Sequence, residues 1–168
     1  MFFYPELETD RLRLRRWRES DVDPFLEFYR DPQSQAVYGA DVKCSDVWRR
    51  VGLFIGHWQL RFYGPWALED RASGKFAGYC GLWFPDGWSD PEIGWGIMPE
   101  FRKRGYAGEA ASRVRDYGYR EKGLPRLVSY IAPDNKASIR VAEKLGAVPD
   151  GEFLMHGKIH LVYLHNQH

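Results

Sequence analysis

The chain has 168 residues, 44% apolar and 16% aromatic, with 24 Lys and Arg against 23 Asp and Glu. That length suffices for one self-sustaining core, so residues 1–168 are expected to form a single domain, and the near-neutral charge leaves no broad basic field for nucleic acid. No apolar run approaches the roughly 18 residues of a membrane span, and the first eight residues lack a signal-peptide pattern, so the mature chain is expected to start at Met1. Cys44 and Cys80 have no metal-ligand spacing and fit ordinary buried thiols in a reducing, cytoplasmic setting.

Residues 11–15 alternate arginine with leucine, which predicts a strand with one buried face and a solvated arginine row. Ser20 with Asp23 resembles a capping box for a helix that carries Phe25, Phe28 and Tyr29 and stops before Asp31 and Pro32. From Ser45 or Asp46, the side chains of Trp48, Val51, Phe54, Ile55, Trp58 and Phe62 recur at helical spacing. They predict a core-facing stripe that ends at Gly64 and Pro65. Residues 66–69 and 76–84 read as a hairpin around a polar turn, and 92–98 as another strand. A helix from about Gly105 to Lys122 follows, buried along Ala107, Ala110, Ala111, Val114 and Tyr117. A strand over 126–132, a helix from Asn135 to Leu145 stopped by Gly146, and two short strands around Gly157 complete the chain. The order βααβββαβαββ predicts α/β layers around one sheet.

The chemistry concentrates between the strand ending at Met98 and the helix opening at Gly105. A helix N-terminus offers unpaired N–H groups and the positive end of a dipole, Gly105 permits close backbone approach, and Arg102, Lys103 and Arg104 add positive charge. The ligand implied is an anion. A phosphate-binding P-loop would need Lys followed by Ser or Thr after its glycine, and a dinucleotide fingerprint needs three spaced glycines; neither pattern occurs here.

The run Glu92-Ile93-Gly94-Trp95-Gly96-Ile97-Met98-Pro99-Glu100-Phe101-Arg102-Lys103-Arg104-Gly105-Tyr106-Ala107-Gly108-Glu109-Ala110 resembles the coenzyme A motif of the GNAT N-acetyltransferase superfamily. The branch it resembles includes the ribosomal-protein N-terminal acetyltransferases. Asn135 through Ala147 is similar to that branch's N-x-x-S-x-x-(apolar)-x-E-K-L-G-F helix, with Ala147 in place of the usual aromatic, and Thr9 through Arg15 to its first strand. The resemblance implies a GNAT-like α/β fold: a twisted, mostly antiparallel mixed sheet with one splayed parallel strand pair, flanked by about four helices. It also implies acetyl-CoA as cosubstrate. Backbone amides from Arg102 through Gly108, including Tyr106 and Ala107, are expected to hold its pyrophosphate. Ile97 and Met98 are expected to pair with its pantetheine arm, and Asn135 to contact it as well as capping its own helix.

An amine attacks a thioester only as the free base, and Glu92, at the start of the strand along the acyl-bearing arm, is the candidate base, directly or through one water. Its plain alternative is a surface carboxylate; Glu69 and Asp70 are fallback bases. A backbone N–H near Ile97 or Met98 could stabilise the oxyanion, and Ser138 is by resemblance the donor to the departing thiolate. The five histidines include only one closely spaced pair, His156 and His160, in a strand-turn region, so no metal site is expected. Trp58, Phe62 and Trp66, in a region the resemblance places over the acceptor site, are candidates for selecting the amine.

The expected activity is direct acetyl transfer to a primary amine, on a protein N-terminus or a small molecule, by a monomer or homodimer acting on neither nucleic acid nor membrane. An acyl-CoA-binding sensor without turnover is the alternative. A nucleotide-binding domain of another fold is a third reading.

Overall fold

The computed structural model describes residues 4–167. One eight-stranded sheet runs in the order β1 (Leu7–Glu8), β2 (Leu12–Arg15), β3 (Pro65–Asp70), β4 (Phe76–Trp83), β5 (Glu92–Ile97), β6 (Leu127–Ile131), β8 (Lys158–His165), β7 (Val148–Met155). Every neighbouring pair is antiparallel except β5 and β6, whose parallel contact is confined to Glu92 opposite Val128. Beyond that point the two strands part, which fits the mixed, splayed sheet implied by the resemblance. Ser129 closes the vertex by donating its hydroxyl to Ile93 O at 2.7 Å, and Trp95 packs against core residues on both sides of the split.

Among the described residues five helices cover the sheet: α1 (Val22–Arg30), α2 (Pro32–Tyr38), α3 (Cys44–Arg61), α4 (Tyr106–Asp116) and α5 (Lys136–Lys144). α4 continues through a wide π-type turn over Tyr117–Glu121, in keeping with the expected span to Lys122. Among the described residues, no helix is long and apolar enough to cross a membrane. α2 was not foreseen from the sequence, nor was the two-residue β1. The final strands are eight residues each rather than short.

Four local expectations are corrected. The buried face of α3 differs from the expected stripe: Val47, Val51, Phe54 and Trp58 are buried, whereas Trp48, Ile55 and Phe62 are exposed. Asp21 closes the short turn over Glu19–Asp21 that leads into α1, accepting from Arg18 N–H at 2.8 Å, and α1 itself takes no side-chain cap, so the Ser20 and Asp23 pair does not form. The arginine row is only partly solvated. Arg11 and Arg13 reach the surface, but Arg15 is buried between Asp21 at 2.8 Å and Glu69 at 2.6 Å, because a guanidinium enters the interior only where carboxylates meet its donors. Cys44 is exposed at the start of α3, unlike the buried Cys80.

Alternation along β4 and β5 shapes the middle of the sheet. Cross-strand partners Tyr79 and Gly96, Gly81 and Gly94, and Trp83 and Glu92 share one face, since residues two apart point the same way. The glycine pair Gly81 and Gly94 leaves a hollow between Tyr79 at one end and Trp83 with Glu92 at the other. Gly81 is also excluded from growing by Pro65, whose Cα would lie 2.2 Å from an added Cβ.

Candidate active site

The turn entering α4 is built from two left-handed residues, Lys103 (φ 60°) and Gly105 (φ 82°), the second of which caps the helix. Glu109 N–H donates to Gly105 O at 3.0 Å as the helix begins, so the amides of Tyr106, Ala107 and Gly108 lie before the first helical bond and open onto the turn. The turn is braced from the connection between β1 and β2. Arg11 donates to Arg104 O at 2.8 Å and pairs with Glu109 at 2.6 Å, while Thr9 Oγ1 donates to Glu109 at 2.6 Å. These contacts neutralise the one carboxylate in the first turn, leaving the helix end positive.

A cavity of about 700 Å³ opens there, lined by Arg102, Lys103 and residues 105–108, with Ile97 on one side and Arg140 and Lys144 of α5 on the other. Arg104 lies outside the lining; its guanidinium sits over the Phe101 ring at 5.4 Å. The Arg102 guanidinium is committed elsewhere, to Asp31 at 2.6 Å, Ser34 Oγ at 2.8 Å and Ile97 O at 3.0 Å. It fastens α2 to the turn. The cations facing the cavity therefore include Arg140 and Lys144, one helical turn apart on α5, which the motif reading missed although their i, i+4 spacing showed a shared face.

Strand alternation also decides which main-chain groups face the split. Met98 N–H donates to Ala77 O at 2.9 Å, so Met98 turns its amide toward β4 and does not line the cavity, contrary to expectation. By the antiparallel alternation, Trp95 and Ile97 turn theirs the opposite way, toward the gap left by β6. Ile97 O is taken by Arg102, which leaves Ile97 N–H and the main chain of Trp95 as the edge available in the split. Trp95 was missed as a site residue.

A second cavity, of about 610 Å³, lies over the Gly81 and Gly94 hollow and meets the first where Val37, Tyr38, Trp95, Asn135 and Ser138 line both. Glu92 stands in it, half-buried, its Oε2 accepting from Trp88 Nε1 at 2.9 Å. Burial pushes its carboxyl up to about 7, against the lowering effect of that bond. Asn135 caps α5 by accepting from Ser138 N–H at 3.2 Å, which sets the serine at the junction of the two cavities. The fallback carboxylates are spent elsewhere: Glu69 pairs with Arg15 and Arg13, and Asp70 accepts from Tyr106 OH and Ser73 Oγ, both at 2.6 Å.

The expected amine-selecting aromatics are not at this cavity. Trp58 and Trp66 are core, 3% and 0% exposed, both held near the β3 start, and Phe62 is on the outer surface. Its walls are instead Tyr38, Phe54, Tyr79, Trp83 and Trp88, with His156 and His160 from the β7–β8 hairpin. Among the described residues, no group of three or more His, Cys, Asp and Glu is arranged to hold a metal ion.

The acetyltransferase (GNAT) domain model matches residues 11–148. YkkB of Bacillus subtilis, an uncharacterized protein, is 35% identical over 152 residues, covering 84% of each chain. YoaA of the same organism, named an uncharacterized N-acetyltransferase, is 28% identical over 88% of this chain and 85% of its own. An acetyltransferase structure from Agrobacterium tumefaciens superposes with a TM-score of 0.88 at 29% identity, over 99% of this chain and 97% of that one. With the motif, the splayed sheet and these relatives in agreement, the chain belongs to the GNAT acetyltransferase family and is an acetyltransferase.

Proposed function

We propose that the protein moves acetyl from acetyl-CoA to a primary amine by direct attack, with Glu92 as the base. The observation that carries this reading is a carboxyl raised to about 7 in one cavity, which a second, anion-suited cavity joins at Trp95 and Ser138. The residues fit the cosubstrate. The α4 amides, with Lys103, Arg140 and Lys144 beside them, suit its phosphates, and the unpaired main chain of Trp95 on β5 suits its amide-bearing arm.

In the reaction the amine nitrogen bonds to the acyl carbon while Glu92 takes the amine proton, directly or through water. Negative charge then grows on the acyl oxygen, and Ile97 N–H is the donor the splay leaves free to meet it. As the carbon–sulfur bond breaks, the Ser138 hydroxyl supplies a proton to the thiolate and is reprotonated from solvent. Neither cysteine takes part: Cys80 is sealed in the core and Cys44 lies outside both cavities.

The test is calorimetric titration with acetyl-CoA, followed by thiol release on adding amines and N-terminal peptides. Binding is expected, and Gly105→Glu should abolish it by forcing a side chain into a left-handed position and placing a negative charge on the phosphate turn. Binding without thiol release from any amine would point to a sensor, and wild-type protein that fails to bind would defeat the reading.

A further inference from the structure

The acceptor cavity has an uneven charge distribution that bears on which amine enters. Among the described residues its lining contains two carboxylates, Glu92 and Asp46. Asp46 is occupied, accepting from Lys43 N–H at 2.9 Å and from Arg49 at 3.1 Å. Glu92 is the group assigned to take the proton. No carboxylate is therefore left to receive a second cationic group on the substrate.

The opposite charge is present and uncommitted. Arg50 lines the cavity, makes no ion pair among the described residues, and lies over the Tyr29 ring at 5.4 Å. Beside it the hydroxyls of Tyr38 and Tyr79 stand 3.0 Å apart, and both residues line the cavity. Burial raises the pKa of Tyr29, Tyr38 and Tyr79, and Arg50 works against that rise in all three, which places its charge close to the tyrosine cluster. Two hydroxyls that share one hydrogen bond keep a second proton to donate, and no other described residue is its acceptor. A guanidinium and a spare hydroxyl proton together make a recognition site for an oxyanion.

Resting on the acetyl-transfer reading, we infer that the acceptor is a primary amine that also carries a carboxylate, bound by Arg50 with Tyr38 and Tyr79 while its amine faces Glu92. Trp83 and Trp88 beside Glu92 favour an apolar or aromatic substituent. The same chemistry occurs in a free α-amino acid and at the N-terminus of an acidic peptide. Polyamines and other polycations are disfavoured, since their extra charge meets arginine.

The experiment measures thiol release from acetyl-CoA with the twenty amino acids, their amides, their decarboxylated amines, spermidine, and C-terminally amidated peptides with Asp or Lys at the second position. A carboxylate-bearing amine should exceed its neutral counterpart at least tenfold in kcat/KM. Arg50→Gln should collapse that ratio through KM, and Arg50→Lys should restore part of it. Preference for free amino acids over Asp peptides, or the reverse, identifies the source. Spermidine or the decarboxylated amines proving best, or Arg50→Gln lowering every substrate alike, would overturn the inference.

Calorimetric titration of the same amines into the coenzyme A-loaded protein separates the two readings. If no amine releases thiol, the transfer reading fails, while carboxylate-selective binding that Arg50→Gln removes still upholds the anion site. Absence of such selective binding overturns it.

Discussion

Glu92 ties stability and, in the proposed reaction, activity to one proton. Its carboxyl is raised from an ordinary value of 4.5 to about 7 by burial, so the folded protein favours the neutral acid more than the unfolded chain does. The stabilising effect of that preference is fully present below about pH 4.5 and is lost as pH rises through about 7; above that, the ionised carboxylate burdens the fold. Glu92→Gln should therefore match wild type in thermal stability near pH 4 and exceed it by about 1–2 kcal/mol at pH 8, after allowance for solvent reaching the cavity. Turnover should move the other way. Wild-type kcat/KM should climb to a plateau with a midpoint near 7, and the glutamine variant should lose about 10²-fold or more. An unchanged profile in the variant would remove Glu92 from the chemistry.

Arg15 is a structural counterpart. Its replacement by Ala strands Asp21 and Glu69 without their shared partner, and chemical denaturation should show a loss of about 3–5 kcal/mol, whereas Arg15→Met with both acids neutralised should recover most of it. Period-two patterning located Arg15 on a strand but could not reveal these partners. One of them lies 54 residues away, and the pattern of a strand says nothing about which acid folds over it.

Arg102 joins α2 to β5, reaching Asp31, Ser34 and Ile97 O at once. Removing it as Arg102→Ala should loosen α2 and free Ile97 O, so acetyl-CoA binding should weaken about tenfold by calorimetry with a smaller effect on kcat. A variant that binds as tightly as wild type would show that the staple is not needed to shape the donor cavity. α2 itself was hidden from sequence reading because its apolar residues 36–38 are consecutive and do not recur at helical spacing, while its start is held by the Asp31 cap and this long-range arginine. The turn into α4 was legible for the opposite reason: Gly105, the preceding cations and the following alanines act through the local backbone. Met98 was misassigned although the register of one antiparallel pair decides it, since which edge a strand amide faces depends on where the partner strand starts. Half of the expected α3 stripe, Val51, Phe54 and Trp58, is buried as read, and the face was drawn too wide because exposed Trp48, Ile55 and Phe62 are as apolar as the buried set.

At the scale of the molecule, the sheet is nearly two sheets. Strands β1 to β5 share one large core with α1, α3 and α4, which Leu127 of β6 also enters, whereas the rest of β6 to β8 and α5 rest on two small apolar clusters, and β7 is mostly exposed. Among the described residues the halves are joined along the sheet at Glu92 opposite Val128, by Val128 N–H donating to Pro91 O at 3.1 Å and through Ser129, with Trp95 packing across the split. Local stability follows buried apolar contact, so hydrogen exchange should be fastest in β7 and slowest in β3 and β4. Acetyl-CoA bound between α4 and α5 would connect the halves across the gap, because its proposed contacts lie at 105–108 on one side and at Asn135, Ser138, Arg140 and Lys144 on the other. Added cosubstrate should therefore slow exchange in the first turns of both α4 and α5, with β7 changing less because it lies outside the donor cavity and only Met155 reaches the acceptor one. Protection confined to α4 would mean that the ligand sits on the helix terminus alone and that the split does not close around it. Protection of both helices, lost together in Gly105→Glu, would tie the gap in the sheet to the binding of the cosubstrate.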